Sequence, residues 1–330
     1  MLTPRENFME TITKGGKPDR FVKQYEAVKI VRNDPVFRFL RGNFIKGTDF
    51  IDRWGTTMSW PEDQCGATPH ITEEKKVLRD ISHWRDYVTV PNLLANCSTG
   101  WEDAQRTIAE IDRKEYLVAC YMGTGIFEQS HFLMGFEDTL LNTLAEPEAY
   151  ADLLETIFEY RMTYAKLLVE NLKPDIILSH DDWGTKISLF IRPDSWRKFF
   201  KPLYAKLYGY MRENSVLVMH HADSYLEDIV EDMAEIGIDI WQGTLPSNDI
   251  VSIQKRLDGK MALMGGIDSV IDRPDVTEEE IRKEVRRACT EYKPGGMFIP
   301  SITYGFPGSI YPNVDPVIND EIDRCSKEMF

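Results

Sequence analysis

Two short apolar runs end in groups that a buried strand cannot carry in its interior. Val216-Leu-Val-Met219 closes on His220-His221-Ala222-Asp223, and Ile176-Ile-Leu178 closes on His180-Asp181-Asp182. Imidazole and carboxylate groups inside a sheet wall would each lose several kcal/mol of hydration, roughly. They therefore belong where the strand hands over to a loop. Apolar strands that end in polar clusters describe a barrel whose chemistry sits at the C-terminal strand ends. Both clusters are read here as parts of one functional site.

The rest of the chain supports that architecture. From residue 101 onward, short apolar runs alternate with long amphipathic ones, and the runs predict strands over Tyr116–Tyr121, Asp175–Ser179, Val216–His220, Ile238–Trp241, Met261–Met264 and Met297–Pro300. Helical spacing of Leu153, Leu154, Ile157, Phe158, Ala165 and Leu168 fills one gap, and Trp196, Phe199, Phe200, Leu203 and Leu207 fill another. Ser224-x-x-Glu227 and Thr277-x-x-Glu280 have the form of capping boxes, Gly237 reads as a helix stop, and Pro193 suits a first helical position. Strand–helix alternation with both sheet faces covered means a parallel sheet. A doubly wound sheet would want a glycine-rich phosphate turn after its first strand, and Met122-Gly-Thr-Gly125 lacks the third glycine of such a turn. The expected fold is α/β, a (β/α)8 TIM barrel spanning residues 1–330 as one domain. Residues 1–100, irregular and broken by Pro and Gly, form an N-terminal segment packed on the barrel and supplying its remaining strands.

A net charge of −15 without a dense Lys/Arg block excludes a nucleic-acid partner, which needs a concentrated basic face. The same excess disfavours highly anionic substrates unless arginines gather locally. No stretch approaches the ~20 apolar residues of a membrane span, and the opening Met-Leu-Thr-Pro-Arg-Glu is no signal peptide, so a cytoplasmic protein without membrane partner is expected. Cysteines 65, 97, 120, 289 and 325 form no Cys-x-x-Cys pair and read as reduced, mostly structural thiols.

Alternation along a strand sends adjacent side chains to opposite faces, so His220 and His221 cannot both face the barrel axis. His221 and Asp223 share a side if the backbone stays extended, as metal ligands or an acid/base pair. Asp223 has a second reading, as a cap of the following helix, and His220 as a packed core residue. Asp181 is separated from His180 and Asp182 in the same way. One of the two carboxylates faces the mouth and the other caps or pairs, with neither assigned. Tyr121-Met-Gly-Thr-Gly-Ile-Phe-Glu128, Gly265-Gly-Ile-Asp268 and Ser301-Ile-Thr-Tyr304 end three further strands with phenol, carboxylate and flexible backbone. Trp54, Trp60 and Trp183 are candidates for the wall of an aromatic pocket.

These elements resemble the uroporphyrinogen decarboxylase superfamily. The likeness rests on Leu2-Thr-Pro-Arg-Glu, Gly16-Lys-Pro-Asp-Arg20, Asp52-Arg-Trp-Gly55, Phe127-Glu128, Asp181-Asp-Trp-Gly184, Pro193-Asp-Ser-Trp196, His221-Ala-Asp-Ser224, Gly265-Gly-Ile-Asp268 and Gly295-Gly296. The resemblance implies a (β/α)8 barrel and two main activities: decarboxylation of uroporphyrinogen, or methyl transfer to or from a corrinoid protein. Decarboxylases of the family carry an Arg-Gln-Ala-Gly-Arg element that grips substrate carboxylates. Phe21-Val-Lys-Gln-Tyr-Glu-Ala27 lacks it. Thiol-methylating members hold zinc through His-x-Cys and a later Cys; here those positions read His221, Asp223 and the neighbourhood of Tyr304. A His and carboxylate set is a harder site that suits activation of an ether oxygen.

The expectation drawn from the resemblance is an O-demethylating, corrinoid-dependent methyltransferase. It would move a methyl group from a small methoxylated, aromatic substrate to cobalamin carried by a separate corrinoid protein, and a homodimer is compatible with it. His221, Asp182, Tyr304 and Glu128 are the expected catalytic residues; Tyr121, Trp183, Asp181 and Asp268 are expected to bind substrate. Zinc, where used, would sit on His221 and Asp223 with a further carboxylate such as Glu128 or Asp182; without metal, Asp182 or Tyr304 would protonate the leaving oxygen. The alternatives are a uroporphyrinogen-type decarboxylase and a non-catalytic ligand-binding barrel.

Overall fold

The computed structural model describes all residues except 42–43, 65 and 303–307. Its strands are β1 (Val28–Val31), β2 (Thr48–Ile51), β3 (Thr57–Trp60), β4 (Thr68–Pro69), β5 (Leu117–Met122), β6 (Ile176–His180), β7 (Leu217–His221), β8 (Ile240–Thr244), β9 (Ala262–Gly266) and β10 (Phe298–Ser301). Seven of them form one parallel sheet in the order β1-β5-β6-β7-β8-β9-β10. All six strands expected from residue 101 onward are present, displaced by one to three residues toward their C-terminal ends. The N-terminal segment adds one strand to this sheet rather than two. Among the described residues no eighth strand joins β1 to β10.

The sheet curls, and the alternation of its side chains shows how. Val28, Leu117, Ala119, Ile176, Leu178, Met219, Ile240, Ala262, Met264 and Ile299, drawn from every strand of the sheet, form one interior cluster. Their sequence neighbours, among them Val118, Cys120, Ile177, Val218, Trp241, Leu263 and Phe298, pack outward against the helices in a second cluster. A period of two puts each residue on one face only, so two separate cores on one sheet mark a barrel-type α/β fold. The helix Pro4–Thr11 closes the N-terminal end. Its start is fixed by Pro4 and by a capping box in which the Glu6 amide donates to Thr3 Oγ1 (3.2 Å) and the Thr3 amide to Glu6 Oε2 (2.9 Å). Phe8, fully buried, enters the interior cluster from that helix, with Met9 and Ile12 packed beside it.

At the opposite end, β2, β3 and β4 form a small antiparallel sheet. The segment expected to be irregular is thus partly ordered, and it roofs the C-terminal strand ends. Thr277 caps the helix Glu278–Tyr292 through Glu280, Pro193 opens the helix Pro193–Phe199, and Gly237 (φ +97°) follows the helix Val230–Glu235. Ser224 does not cap. Its hydroxyl donates to Gly184 O (2.9 Å), tying two strand-end loops together, and the helix starts later after a 3₁₀ turn at Glu227–Ile229. The four described cysteines are free and buried. No helix among the described residues is long and apolar enough to cross a membrane.

Because Phe8 fills the barrel floor, Phe8→Ala should cost about 3–5 kcal/mol, the usual cost of emptying a buried phenylalanine site. Urea denaturation checks this, and a loss under about 1 kcal/mol would show that the helix Pro4–Thr11 is not part of the core.

Candidate active site

Strand alternation decides which polar groups reach the mouth. On β6 and its continuation, His180 and Asp182 face inward while Asp181 faces the surrounding helices. The parallel register then sets His180 beside His221, and His221 beside Gln242. The two imidazoles stack with centroids 4.6 Å apart and planes 20° from parallel. Each is held by its Nδ1. His180 Nδ1 faces Glu128 Oε2 at 2.8 Å, and His221 Nδ1 bonds Gln242 Oε1. A carboxylate or amide oxygen only accepts, so both Nδ1 atoms carry the proton and each Nε2 is left for another partner. One potential ligand atom from each of His180, Asp182 and His221 lies within 4.8 Å of the others, a set suited to a metal ion.

Electrostatics separate the members of this cluster. Burial opposes ionisation of Glu128, but the adjacent His180 outweighs it and brings the carboxyl down to about 2. Burial also works against charge on His180, and Glu128 reverses that and raises it well above the ordinary range. His221 falls to about 4, from burial and then from the neighbouring His180 charge, so it is neutral. Burial, reinforced by Glu128, pushes Asp182 up to about 6, with His180 pulling the other way. The mouth therefore holds one ion pair, one neutral imidazole and one carboxyl that takes up a proton at a higher pH than an ordinary aspartate does.

Asp181 has a different task. Its Oδ2 accepts from the Phe127 amide (3.0 Å), Trp183 Nε1 (2.9 Å) and Tyr204 OH (2.6 Å), and its Oδ1 from the Glu128 amide (2.9 Å). It thus sits on the exposed amides that open the helix Ile126–Met134, where a carboxylate complements the helix N-terminus. A Cβ on Gly125 would stand 1.9 Å from Asp181 Cγ, so only glycine fits there. Behind it, buried Arg161 donates to Gly123 O (2.8 Å), to Thr124 O and to Ser179 Oγ (2.8 Å), holding a turn in which Thr124 has φ +45°. His220 joins this scaffold. It stacks on Trp183 at 4.1 Å and bonds Tyr208 OH (2.7 Å) and Asp181 O (3.2 Å), a packed core histidine.

A cavity of about 580 Å³ opens over the mouth, lined by Phe37, Arg41, Trp54, Tyr121, Glu128, His180, Asp182 and Phe190 among others. His221 lies against its floor through the stack on His180. A second cavity of about 580 Å³ lies at the N-terminal strand ends around Gly16, Gln254 and Gly296. No histidine lines it, and it is remote from the strand ends that carry chemistry in barrels.

The sequence-predicted residues divide accordingly. Glu128, Asp182, Tyr121 and Trp54 line the cavity, with His221 beneath it. Trp183 is buried behind the site as a donor to Asp181, so it presents no face to a ligand, and Asp181 itself is fully buried. Asp268 accepts from the Val270 amide (3.0 Å), capping the 3₁₀ turn Ser269–Ile271 outside the cavity. Trp60 donates to Gln64 O (3.2 Å) and does not line it either. Tyr304 lies outside the described residues. Asp223 stands outside the close ligand set, because the loop turns after Ala222; its amide instead donates to Asp182 Oδ1 (3.2 Å). His180 and Gln242 were not among the expected site residues. The signal for His180 was available, since it shares a strand face with Asp182.

The two adjacent aspartates should respond oppositely to truncation. Asp181→Ala leaves four donors unpaired and should destabilise the fold by at least about 3 kcal/mol. Asp182→Ala, which removes one hydrogen bond and a desolvated carboxyl, should stay within about 1 kcal/mol of the parent. Chemical denaturation of both variants measures the difference; equal losses would contradict the division of roles.

The comparisons with known proteins bear on the fold and the family. A methyltransferase from Methanosarcina mazei superimposes with a TM-score of 0.68 over 99% of this chain and 99% of its own, at 14% identity, a likeness of fold. A dihydropteroate synthase from Anaplasma phagocytophilum covers 56% of this chain and 71% of its own at 16% identity, with a TM-score of 0.39, too low to bear on the site. A search of curated protein sequences found no match. The profile described as uroporphyrinogen decarboxylase (URO-D) matches residues 51–317, from the β2 edge of the roof to the last helix, and by that match the chain belongs to the URO-D family.

Proposed function

We propose that this protein is a methyltransferase that takes the methyl group of a small methoxylated aromatic and passes it to the cobalt of a corrinoid protein. The observation that carries the reading is the placement of two stacked imidazoles and an inward carboxyl at one end of an aromatic-walled cavity. The likeness of fold to a methyltransferase over nearly the full length of both chains supports it.

Breaking a methyl–oxygen bond leaves negative charge on the oxygen, which must meet a proton or a cation. The reduced corrinoid supplies the nucleophile that accepts the methyl group. This chain's residues do the rest. The aromatic walls orient the ring, and Asp182 or the His180, Asp182 and His221 set receives the leaving oxygen. That set fits zinc: nitrogen and oxygen donors, three protein ligands with a place left for substrate, and Glu128 and Gln242 fixing the imidazoles through Nδ1. Zinc would act there as a Lewis acid toward the departing oxygen. The ligand set so proposed is His180, Asp182 and His221, with Asp223 supporting Asp182 through its amide.

A decarboxylase would need guanidinium groups for several carboxylate arms. Among the described residues the cavity offers Arg41 and Arg53 and no further arginine. A binding-only barrel would hold a methoxyarene without releasing its phenol. Anaerobic incubation with methoxyarenes and a reduced corrinoid, followed by chromatography of the phenol, tests the proposal. Phenol should form, and His221→Ala should slow its formation by about 100-fold or more while folding normally. Wild-type turnover in that variant would remove His221 from the chemistry. Exhaustive chelation should silence the parent and zinc restore it; turnover that survives chelation but is lost in Asp182→Asn would assign the oxygen to a proton instead.

A further inference from the structure

Most arginines of this chain are matched to a carboxylate. Arg5 meets Asp175, Arg20 meets Glu26, Arg197 meets Asp232, and Arg282 and Arg286 meet Glu321. Arg79 and Arg161 bond backbone carbonyls instead, and of the arginines without a carboxylate partner Arg41 and Arg53 are the two that line the cavity over the mouth. Among the described residues neither faces an acidic side chain. Arg53 donates to Phe39 O (2.9 Å) and lies 4.6 Å from the Phe39 ring centroid. Arg41, half-buried, lies over the Phe37 ring at 5.0 Å and 5.8 Å from Phe44. Phe37 in turn meets Tyr121 edge-on at 6.2 Å, so Arg41 connects through Phe37 to the strand end of β5.

A guanidinium stacked on an aromatic face keeps its N–H edge available, and that planar fork matches a carboxylate. In a chain of net charge −15, two such groups without acidic partners in one aromatic cavity are a local reversal of the background. The cavity is therefore polarised: Arg41 and Arg53 stand on the wall supplied by the N-terminal segment, where Asp52 is occupied by the Trp54 and Thr56 amides, and Glu128, Asp182 and His180 stand on the wall supplied by the barrel. A neutral ligand would make no use of that polarity. A ligand with an anionic group at one end and an ether at the other would use both ends.

We infer that the substrate is a methoxylated aromatic carboxylate, oriented by Arg41 on its carboxylate so that its methoxy group points to His180 and Asp182. This names the substrate class for the methyl-transfer reading and rests on it. The roles of the two arginines are graded: Arg41, half-buried and stacked, fixes the carboxylate, and exposed Arg53 adds to the local potential. The reversed orientation would leave the substrate carboxylate without a guanidinium partner.

Calorimetric titration of the whole protein without any corrinoid tests the inference apart from the reaction. The probes are para-methoxybenzoate and its neutral isostere para-methoxybenzamide. The parent should bind the benzoate at least about tenfold tighter, the scale of one charge-assisted pair. Arg41→Gln should remove that preference and leave the benzamide affinity within about twofold, and Arg41→Lys should keep part of it. Equal affinity for the two probes, binding of neither, or a preference that persists in folded Arg41→Gln would overturn it. Circular dichroism of each variant confirms folding, and should Arg41→Gln misfold, Arg41→Lys and Arg53→Gln carry the comparison. The two proposals fail separately. Demethylation of neutral methoxyarenes in preference to methoxybenzoates sinks this one alone, whereas benzoate-selective binding without any methyl transfer sinks the reaction and leaves the recognition standing.

Discussion

The site depends on a carboxylate that never reaches it. Asp181 gathers the Phe127 and Glu128 amides, the Trp183 indole and the Tyr204 hydroxyl onto two oxygens. Those donors come from three separate parts of the chain, so one buried side chain joins the end of β6 to the start of the helix Ile126–Met134 and to the helix Lys201–Glu213. The Glu128 amide is thereby fixed, and its side chain, also accepting from the Gly125 amide at 3.2 Å, is aimed at His180. Orientation then passes from His180 to His221 through the ring stack, and from His221 to Gln242 through a hydrogen bond. Rigid support of this kind is what keeps reacting groups within the small tolerance that catalysis demands.

The charges follow from the same geometry. Strand alternation isolates Asp181 among donors and leaves Asp182 beside Glu128 in a desolvated mouth, so two adjacent aspartates acquire different roles. Glu128 and His180 settle as an ion pair, and the His180 charge then holds His221 neutral. A metal ion in the His180, Asp182 and His221 set would take the place of the second proton of His180, on Nε2, and would displace no hydrogen bond on Nδ1 of either ring. The chemistry is concentrated at one end of the cavity, while the small sheet of β2, β3 and β4 and the helix Pro35–Arg41 supply residues to its apolar and cationic remainder.

Much of the barrel could be read from the sequence because strands buried on both faces are continuous apolar runs, and six of them stood between amphipathic stretches. β1 was not legible: Val28-Lys-Ile-Val31 is short and carries a lysine, and its place in the sheet is set by pairing with β5 across some ninety residues. The inward histidine His221 is legible from alternation, and the same period of two turns His180 inward with Asp182. Asp223 shows the limit of alternation, which fails once the strand turns into a loop. Trp183 shows another limit, since residue type does not reveal which side of a strand end a side chain occupies. Gln242 was invisible because a lone glutamine in a strand has no spacing signal; only the register beside His221 gives it a role. The arginines of the roof were equally silent, because their meaning comes from acidic partners they do not have.

Carbon-13 tracing tests the central claim most directly. Para-methoxybenzoate labelled at both the methoxy carbon and the carboxylate carbon is incubated with the protein and a reduced corrinoid, and both labels are followed by nuclear magnetic resonance. The account predicts that the methoxy label moves to the corrinoid while the carboxylate label stays on the ring. Release of the carboxylate label as carbon dioxide, or retention of both labels on a substrate that the protein demonstrably binds, would contradict it.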